Sequence, residues 1–335
     1  MAVRDMEDAR PEALQGEFRE LDQHAARLRF REDGDDFAGL DRAQAKHVPE
    51  RARHLPSIRS TSMSEPPATS YAKRIDMSSI ALEVAGLQKT YHKGGQPLAI
   101  LDIERFAAAE GEFITIIGPS GCGKSTFLHI MGGFIAPDSG AIRVYGHDVR
   151  GPGPDRGMMF QEFALFPWKT VAGNVAWGLE AQGRARAEIE PIVQRYLEMT
   201  GLADFRNHYP AELSGGMKQR VALARVLAFD PKVLLMDEPF GALDAQTRET
   251  MQEEVMRLWA RTRKTIVFVT HDIEEAVYLG DRIVVLSARP GRIKEEVRIE
   301  LPRPRELEIK KSMRCHEYRN YVWDLIRSEA QKGSK

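Results

Sequence analysis

The chain has 335 residues, 42% of them hydrophobic, and a formal net charge of −1 from 48 basic and 49 acidic side chains. This size allows one large domain with smaller additions, and the mixed charges create no long-range field that would recruit nucleic acid. No apolar run reaches the roughly 18 residues that a membrane-spanning helix needs. Residues 1–8 are acidic where a secretory signal carries basic residues. We therefore expect a protein that stays in the cytosol.

Residues 1–78 differ in composition from the rest of the chain. They mix both charges, contain few aromatics and include a stretch rich in Ser, Pro and Thr over residues 57–70. Such a segment buries too little apolar surface to offset its ordering entropy, so we expect a dispensable, largely disordered extension. A partner-binding arm is one alternative, and a true start at Met63 or Met77 is another. One short amphipathic helix is expected around Leu14, Phe18, Leu21, Ala25 and Leu28.

The next segments predict strands and a glycine-rich loop. Alternating residues from Ile80 to Val84 favour a half-buried strand, and the apolar residues 113–117 favour a fully buried one. A helical pattern runs from Thr126 to Met131. The glycines thus stand between a strand and a helix, the context in which this motif binds phosphate. The loop consists of Gly118, Pro119, Ser120, Gly121, Cys122, Gly123, Lys124, Ser125 and Thr126.

This loop carries the chemistry of a phosphate site. Backbone N–H groups at a helix N-terminus bind phosphate oxygens, Lys124 adds a positive charge, and Ser125 offers a hydroxyl to Mg²⁺. A tight turn without a ligand is the alternative, which the complete pattern disfavours. Cys122 is interpreted as a small filler residue, or else as a thiol whose modification would block the nucleotide. With Cys315 as the only other cysteine, no disulfide framework is predicted.

A mixed helical region is predicted from Gln161 to about Asn207. Breaks in it are expected at Pro167, Gly173, Gly183 and Pro191. Its beginning is crowded with apolar and aromatic residues, which form either ordinary core or, as we prefer, a groove that accepts a short helix of another protein. These residues are Phe163, Phe166, Pro167, Trp168, Val171 and Trp177.

The motif Leu-Ser-Gly-Gly-Met-Lys-Gln-Arg occupies residues 213–220, and a helix is predicted from Gly216 to Ala228. Ser214, Gly215 and Gly216 thus precede a second helix N-terminus that can bind phosphate. The alternative is a Ser cap followed by glycines, without a ligand.

Two adjacent carboxylates, Asp237 and Glu238, follow a strand predicted over residues 232–236. Charge at the end of a buried strand is costly without a cation or hydrogen-bond donors nearby. We therefore expect a partner there, with a purely structural acid pair as the alternative. A helix over residues 246–261, a strand over 265–269, His271 and a helix through 274–277 come next.

The chain closes with strands over residues 283–286 and near 293–299, separated by a turn at Pro290 and Gly291. Strands that alternate with helices predict a parallel sheet covered on both faces. A final helix places five apolar or aromatic residues on one face: Tyr318, Tyr321, Val322, Leu325 and Ile326.

Together with Gln161 and His271, these motifs resemble the ATPase subunits of ATP-binding cassette (ABC) transporters over about residues 79–331. The resemblance implies an α/β fold, the P-loop NTPase ABC-type nucleotide-binding domain with a mostly parallel sheet core, an antiparallel β subdomain and a helical subdomain. The ATPase domain is expected over residues 79–310, its helical subdomain over about 161–228, and a C-terminal helical tail over 311–335.

The resemblance also implies roles for single residues, although an isolated His or Tyr is more often structural. Glu238 is expected to polarise the attacking water, with His271, Gln161 and Lys124 completing the catalytic set. Mg²⁺ is expected on Ser125, Gln161 and Asp237. ATP is expected to contact Tyr91 through its adenine, the loop residues 118–126, and, across a dimer, Ser214, Gly215, Gly216 and Asp244.

The implied partners are a second copy in a head-to-tail homodimer, integral membrane permease subunits and, indirectly, a periplasmic or lipoprotein substrate-binding protein, with no nucleic acid. The place implied is the cytoplasmic face of the inner membrane. Residues 165–168, 288–293 and 301–305 resemble the importer group for nitrate, sulfonates and taurine.

Two other functions remain open from the residues. A soluble ABC protein of DNA repair or translation would carry a long coiled coil, tandem cassettes or a basic surface, and none is visible in the sequence. A nonhydrolytic nucleotide-regulated binding module would not need Glu238 and His271.

Overall fold

The structure, a computed structural model, describes residues 80–332. The predictions for residues 1–78, including the amphipathic helix and the alternative starts, lie outside the described residues. Within the described part of the chain, no helix combines the length and the hydrophobicity needed to cross a bilayer.

A four-stranded antiparallel sheet comes first in the chain. It has the order β2-β1-β4-β5, with β1 at Ile80–Lys93, β2 at Gln96–Ala109, β4 at Ser139–Val144 and β5 at His147–Asp148. Its inner face packs on the first helix, where the rings of Phe106 and Phe127 meet edge to face with centroids 5.5 Å apart. Packing of this kind fixes the sheet beside the phosphate loop, because Phe127 lies on the helix that follows that loop.

The main sheet has six strands in the order β10-β9-β3-β8-β7-β6. Five of them, from β9 to β6, run parallel, and β10 is antiparallel to β9. Every residue of β3, β7, β8 and β9 is buried, as expected for strands covered on both faces. The bounds are β3 Phe113–Ile117, β6 Arg156–Met159, β7 Val233–Asp237, β8 Thr265–Val269, β9 Arg282–Leu286 and β10 Ile293–Arg298.

Seven α-helices lie within residues 80–332: α1 Lys124–Met131, α2 Val171–Ala181, α3 Arg186–Met199, α4 Gly215–Ala228, α5 Ala245–Thr262, α6 Ile273–Leu279 and α7 Met313–Lys332. Short 3₁₀ turns occur at Ala203–Phe205, Pro210–Glu212 and Leu307–Lys311. The apolar faces of α2, α3 and α4 share one core cluster with β7, β8 and α5. The predicted α/β fold with a mostly parallel sheet and a separate antiparallel sheet is confirmed.

Two of the predicted helix breaks are wrong. Gly173 lies in the first turn of α2, where its N–H donates to the hydroxyl of the N-cap residue Thr170 (3.1 Å). Pro191 lies inside α3, although an interior proline costs about 3 kcal/mol. Its helix survives because Ile189 and Leu197 bury the opposite face, and packing rather than propensity supplies most helix stability.

Candidate nucleotide site

The phosphate loop joins the end of β3 to the start of α1 at Lys124. Gly121 and Gly123 have φ angles of +72° and +100°, a region that side chains rarely adopt. A Cβ on Gly123 would also lie 2.8 Å from a methyl carbon of Leu101 on β2. Both the loop conformation and the closeness of the antiparallel sheet therefore require glycine at this position.

Lys124 directs its charge into this loop. The side chain is buried, and its ammonium donates to the carbonyl oxygens of Gly118 (3.0 Å) and Pro119 (3.2 Å). The first N–H groups of α1 have no acceptor within the helix, and the helix dipole adds partial positive charge there. The loop thus combines a fixed cation with outward backbone donors, which suits the phosphates of a nucleotide.

Ser125 and Asp237 meet below the loop. The hydroxyl of Ser125 donates to Oδ1 of Asp237 at 2.9 Å, and Asp237 is almost completely buried at the end of β7. Within residues 80–332, no cluster of three His, Cys, Asp or Glu side chains is positioned to hold a metal ion. One hydroxyl and one carboxylate fit Mg²⁺, which protein sites bind through few side chains together with water and phosphate oxygens.

His129 is a site residue that sequence reasoning missed. Its Nε2 is buried on α1, 3.5 Å from Oδ2 of Asp237, an ion-pair separation without a hydrogen bond. The rings of Phe134 and Phe160 hold the imidazole edge to face. A single His between the apolar residues Leu128 and Ile130 gives no signal in the sequence that it faces a carboxylate.

Glu238 and His271 are in direct contact. His271 Nδ1 lies 2.9 Å from Oε2 of Glu238, whose side chain is only 19% exposed, whereas that of His271 is 64% exposed. Glu238 has a φ of +41°. Two hydrogen bonds hold this conformation: the N–H of Glu238 donates to the carbonyl of Val269, and its carbonyl accepts from the N–H of Gly241. Strained non-glycine conformations of this kind cost about 1–3 kcal/mol and cluster at functional sites. In this conformation the side chain of Glu238 is partly exposed and contacts His271, whereas that of Asp237 is buried.

Gln161 and Tyr91 lie at the edges of this arrangement. Gln161 is exposed just beyond β6, whose last residue, Met159, pairs with Met236. Among the described residues, no hydrogen bond joins Gln161 to Ser125 or Asp237. Tyr91 is 40% exposed on β1, opposite Leu98 of β2, near the point where β2 touches Gly123.

The residues of the 213–220 motif lie around the N-terminus of α4. Ser214 caps α4, its hydroxyl accepting from the N–H of Met217 (3.3 Å), and Asp244 caps α5 in the same way through Thr247 (3.0 Å). These backbone and hydroxyl donors of Thr247 lower the pKa of Asp244. A Cβ on Gly216 would lie 2.7 Å from the methyl group of Thr247, so the two helix N-termini adjoin.

Within the described chain, no hydrogen bond links Ser214, Gly215 or Gly216 to the phosphate loop. Gln219, which sequence reasoning did not single out, joins α4 instead to the residue that follows the acid pair. Its buried amide donates to the carbonyl of Pro239 at 2.6 Å.

Cys122 is buried inside the loop, and burial raises the pKa of its thiol. A Cβ at Gly118 would lie 3.0 Å from its sulfur, so the pocket around the thiol is filled. A buried, protonated thiol reacts slowly, which favours the packing role over modification.

The aromatic segment after Gln161 divides into core and surface. Phe166 and Val171 are buried, whereas Trp168 is 68% exposed, with its ring 5.7 Å from that of Phe166. The buried side chain of Asn174 holds the turn between them with hydrogen bonds to Phe166 and to two following carbonyls. Trp168 thus projects from a fixed turn rather than lining a groove of several exposed aromatics.

A family model described as ABC transporter matches residues 101–241. An ABC transporter ATP-binding protein of Methanocaldococcus jannaschii is 47% identical over 263 residues, which cover 78% of this chain and 97% of that protein. The chain belongs to the ABC transporter family. The predicted family membership is confirmed.

Relatives of this ABC protein include two import proteins. A nitrate import ATP-binding protein of Synechocystis is 47% identical over 73% of this chain and 95% of its own length. A taurine import ATP-binding protein of Jannaschia is 44% identical over 74% of this chain and 96% of its own length. A solved dimeric ATP-binding cassette in a post-hydrolysis state, bound to ADP and Pi, matches with a TM-score of 0.59 at 33% identity, covering 66% of this chain and all of that one. The predicted likeness to the nitrate and taurine group is confirmed.

Proposed function

We propose that this chain is the ATP-hydrolysing subunit of a bacterial ABC importer for a small anion such as nitrate, taurine or another sulfonate. As a member of the ABC family it binds ATP and is an ATPase. The observation that carries the catalytic part of the proposal is the contact between Glu238 and His271, beside the Ser125–Asp237 pair. These four side chains lie where β3, β7 and β8 end, at the carboxyl edge of the parallel sheet.

The side chains divide the chemistry between them. Lys124 and the loop N–H groups bind the phosphates. Ser125 and Asp237, with Gln161 at the edge, would hold Mg²⁺, which would supply positive charge to the reacting phosphate. Glu238 is turned to solvent and accepts the proton of the attacking water, while His271 holds its carboxylate in place. His271 is exposed enough to contact the γ-phosphate as well. The exposed ring of Tyr91 supports a role in stacking on the adenine.

Two copies are needed to complete this site. Among residues 80–332, no hydrogen bond joins the Ser214 terminus to the phosphate loop of its own chain, and this terminus adjoins the Asp244 cap. A head-to-tail homodimer brings both to the partner's phosphate loop. Similar solved cassettes were determined as dimers, which supports this arrangement.

Trp168 provides the contact with the membrane permease. An exposed tryptophan on a turn fixed by Asn174 offers a large apolar surface without further ordering. Because the turn follows Gln161 directly, a permease helix seated there communicates with the nucleotide site. A permease contact of this kind supports a peripheral position at the cytoplasmic face of the membrane, with a substrate-binding protein on the far side as the proposed third partner.

The catalytic proposal is tested by Glu238→Gln, with Glu253→Gln as the matched surface control. Glu238→Gln should retain ATP binding and lower turnover by about 10²–10⁴-fold, the usual effect of removing a positioned base. Turnover near that of the unaltered protein would overturn the role of Glu238. A Glu238→Gln protein that stays monomeric with Mg·ATP, even with its permease present, would overturn the dimer.

The permease contact is tested by Trp168→Ala, with Trp323→Ala as control because Trp323 is 57% exposed on α7. The first variant should lose co-purification with the permease and keep soluble ATPase activity. Equal co-purification of both variants would refute the docking role.

A further inference from the structure

The hairpin between β9 and β10, residues 287–292, lies against the outer side of the phosphate loop. Arg289 donates from Nε (3.1 Å) and Nη2 (2.9 Å) to the carbonyl oxygen of Gly121. Two residues on, a Cβ at Gly291 would lie only 2.2 Å from the carbonyl oxygen of Cys122. The hairpin thus touches two consecutive peptide groups of the loop, and its approach to the second leaves no space for a side chain at position 291.

The hairpin is fastened on one side to the antiparallel sheet. Gly291 donates to the carbonyl of Ile100 (2.8 Å) and accepts from the N–H of Asp102 (3.0 Å). The guanidinium of Arg292 binds the carboxylate of Asp102 through two nitrogens, at 2.9 and 2.7 Å. Since Ile100 also adjoins Gly123, one strand supports both the loop and the hairpin.

On the other side the hairpin is fastened to the terminal helix. The buried carboxylate of Glu329 on α7 accepts from the N–H of Ala288 (3.3 Å) and pairs with Lys294 of β10 at 3.0 Å. Arg289 therefore extends from a segment held at both ends. Its exposed guanidinium contacts the loop because its backbone is fixed, and not because the side chain is itself packed.

The contacts constrain the loop at its most permissive residue. Gly121 has a φ of +72°, and because glycine adopts positive and negative φ about equally, the backbone can easily change from that conformation. Because the peptide group is planar, holding the carbonyl of Gly121 also fixes the direction of the N–H of Cys122, which closes the loop on the carbonyl of Pro119 (3.3 Å). A charge-assisted pair of hydrogen bonds to one oxygen is among the stronger restraints available to a backbone.

We infer that Arg289 is a positioning residue that holds the phosphate loop in its phosphate-binding conformation before the nucleotide arrives. The inference rests on the proposed function of this loop. Preorganisation of this kind raises affinity for every ligand that uses the loop, ADP as well as ATP, because the ordering is complete before binding. A direct contact of Arg289 with the γ-phosphate would instead favour ATP alone.

The test compares Arg289→Gln with Arg292→Gln in the full chain. Arg292 is the comparison within the same hairpin: its guanidinium binds Asp102 and, among the described residues, has no hydrogen bond to the phosphate loop, so its loss loosens one fastening of the hairpin and should cost less affinity than the loss of Arg289. Equilibrium binding of fluorescent ATP and ADP analogues, and kcat and KM for ATP, are measured for each. Arg289→Gln should weaken the binding of both nucleotides by about tenfold, the effect of losing a hydrogen-bond restraint. It should also raise KM for ATP with little change in kcat. Arg289→Lys should recover part of the loss, because one donor remains.

Several results would overturn the inference. These are unchanged affinity in Arg289→Gln, an equal loss in Arg292→Gln, or a loss confined to ATP. Thermal unfolding of each variant separates a local effect from failure to fold, and Arg289→Lys serves if the Gln variant unfolds. If the unaltered chain fails to bind or hydrolyse ATP, the proposed function fails; if it does both and Arg289→Gln behaves identically, only the role of Arg289 fails.

Discussion

Arg282 forms a buried ion cluster that should govern stability. Its side chain is 2% exposed, and its guanidinium binds Glu112 through two nitrogens (2.8 and 3.0 Å), the carbonyl of Ala107 (2.6 Å) and Glu296 (3.0 Å). Burial lowers the pKa of Arg282, but the two carboxylates outweigh it, so the pKa is raised overall. The cluster ties the start of β9 to the turn before β3 and to β10.

Arg282→Met should destabilise the protein by about 3–5 kcal/mol, because removing one member of a buried pair strands the other charges. The side chain of Glu112 is 9% exposed and that of Glu296 is 21% exposed, so water replaces the lost cation only in part. A loss of this size lowers the melting temperature by about 10 °C in a domain of this length. The control Arg143→Met removes an arginine paired with exposed Asp148, which should cost about 0–1 kcal/mol.

The assay is urea unfolding followed by circular dichroism, with calorimetry for the melting temperature. A third variant adds Glu112→Gln and Glu296→Gln to Arg282→Met and should recover much of the loss, because replacing all the charges leaves none stranded. If Arg282→Met and Arg143→Met lose equal stability, the buried charges do not set the cost. A third variant less stable than Arg282→Met would refute the same reasoning.

Two further predictions concern the segments around the site. Asn174→Leu should lower the free energy of unfolding by about 1–3 kcal/mol, because buried backbone groups lose their partner, and should speed hydrogen exchange over residues 166–170. Asn207→Leu, at an exposed position, should do neither, and equal exchange rates in the two variants would contradict this prediction. In a Cys315→Ser background, Cys122 should react with iodoacetamide far more slowly in the folded than in the urea-unfolded protein, because burial raises the pKa of its thiol, and equal rates would contradict this.

The elements that the sequence predicted best are those with continuous burial. The strands at β3, β7 and β8 are uniformly buried, so their apolar runs were unambiguous, and their parallel order brings the predicted Gly118, Asp237 and His271 to one edge. Strands β2, β4, β5 and β6 were not predicted from the residues. The strand β6, Arg-Gly-Met-Met, has neither alternation nor β-branched residues, and only pairing with β7 makes it extended.

Two residues of the site were missed. His129 faces Asp237 from α1, and Arg289 contacts the phosphate loop from the hairpin after β9. A motif records spacing along the chain, and these contacts join positions more than 100 residues apart. The positive φ of Glu238 is equally invisible, since glutamate has no preference for that conformation.

The hydrogen bond between α4 and Pro239 bears on the proposed function in pairs. Gln219 fastens α4 to Pro239, directly after Glu238, so a displacement of the Ser214 terminus would be transmitted to the proposed base. In the proposed dimer, the Ser214 terminus of each chain would thus be joined to Glu238 of its own chain while it binds the nucleotide of its partner. If a second copy places its nucleotide against Ser214, Glu238 of each chain becomes sensitive to whether the opposite site holds a nucleotide. Gln219→Leu, which keeps the volume but loses the amide, should therefore reduce the coupling between the two sites more than it reduces ATP binding.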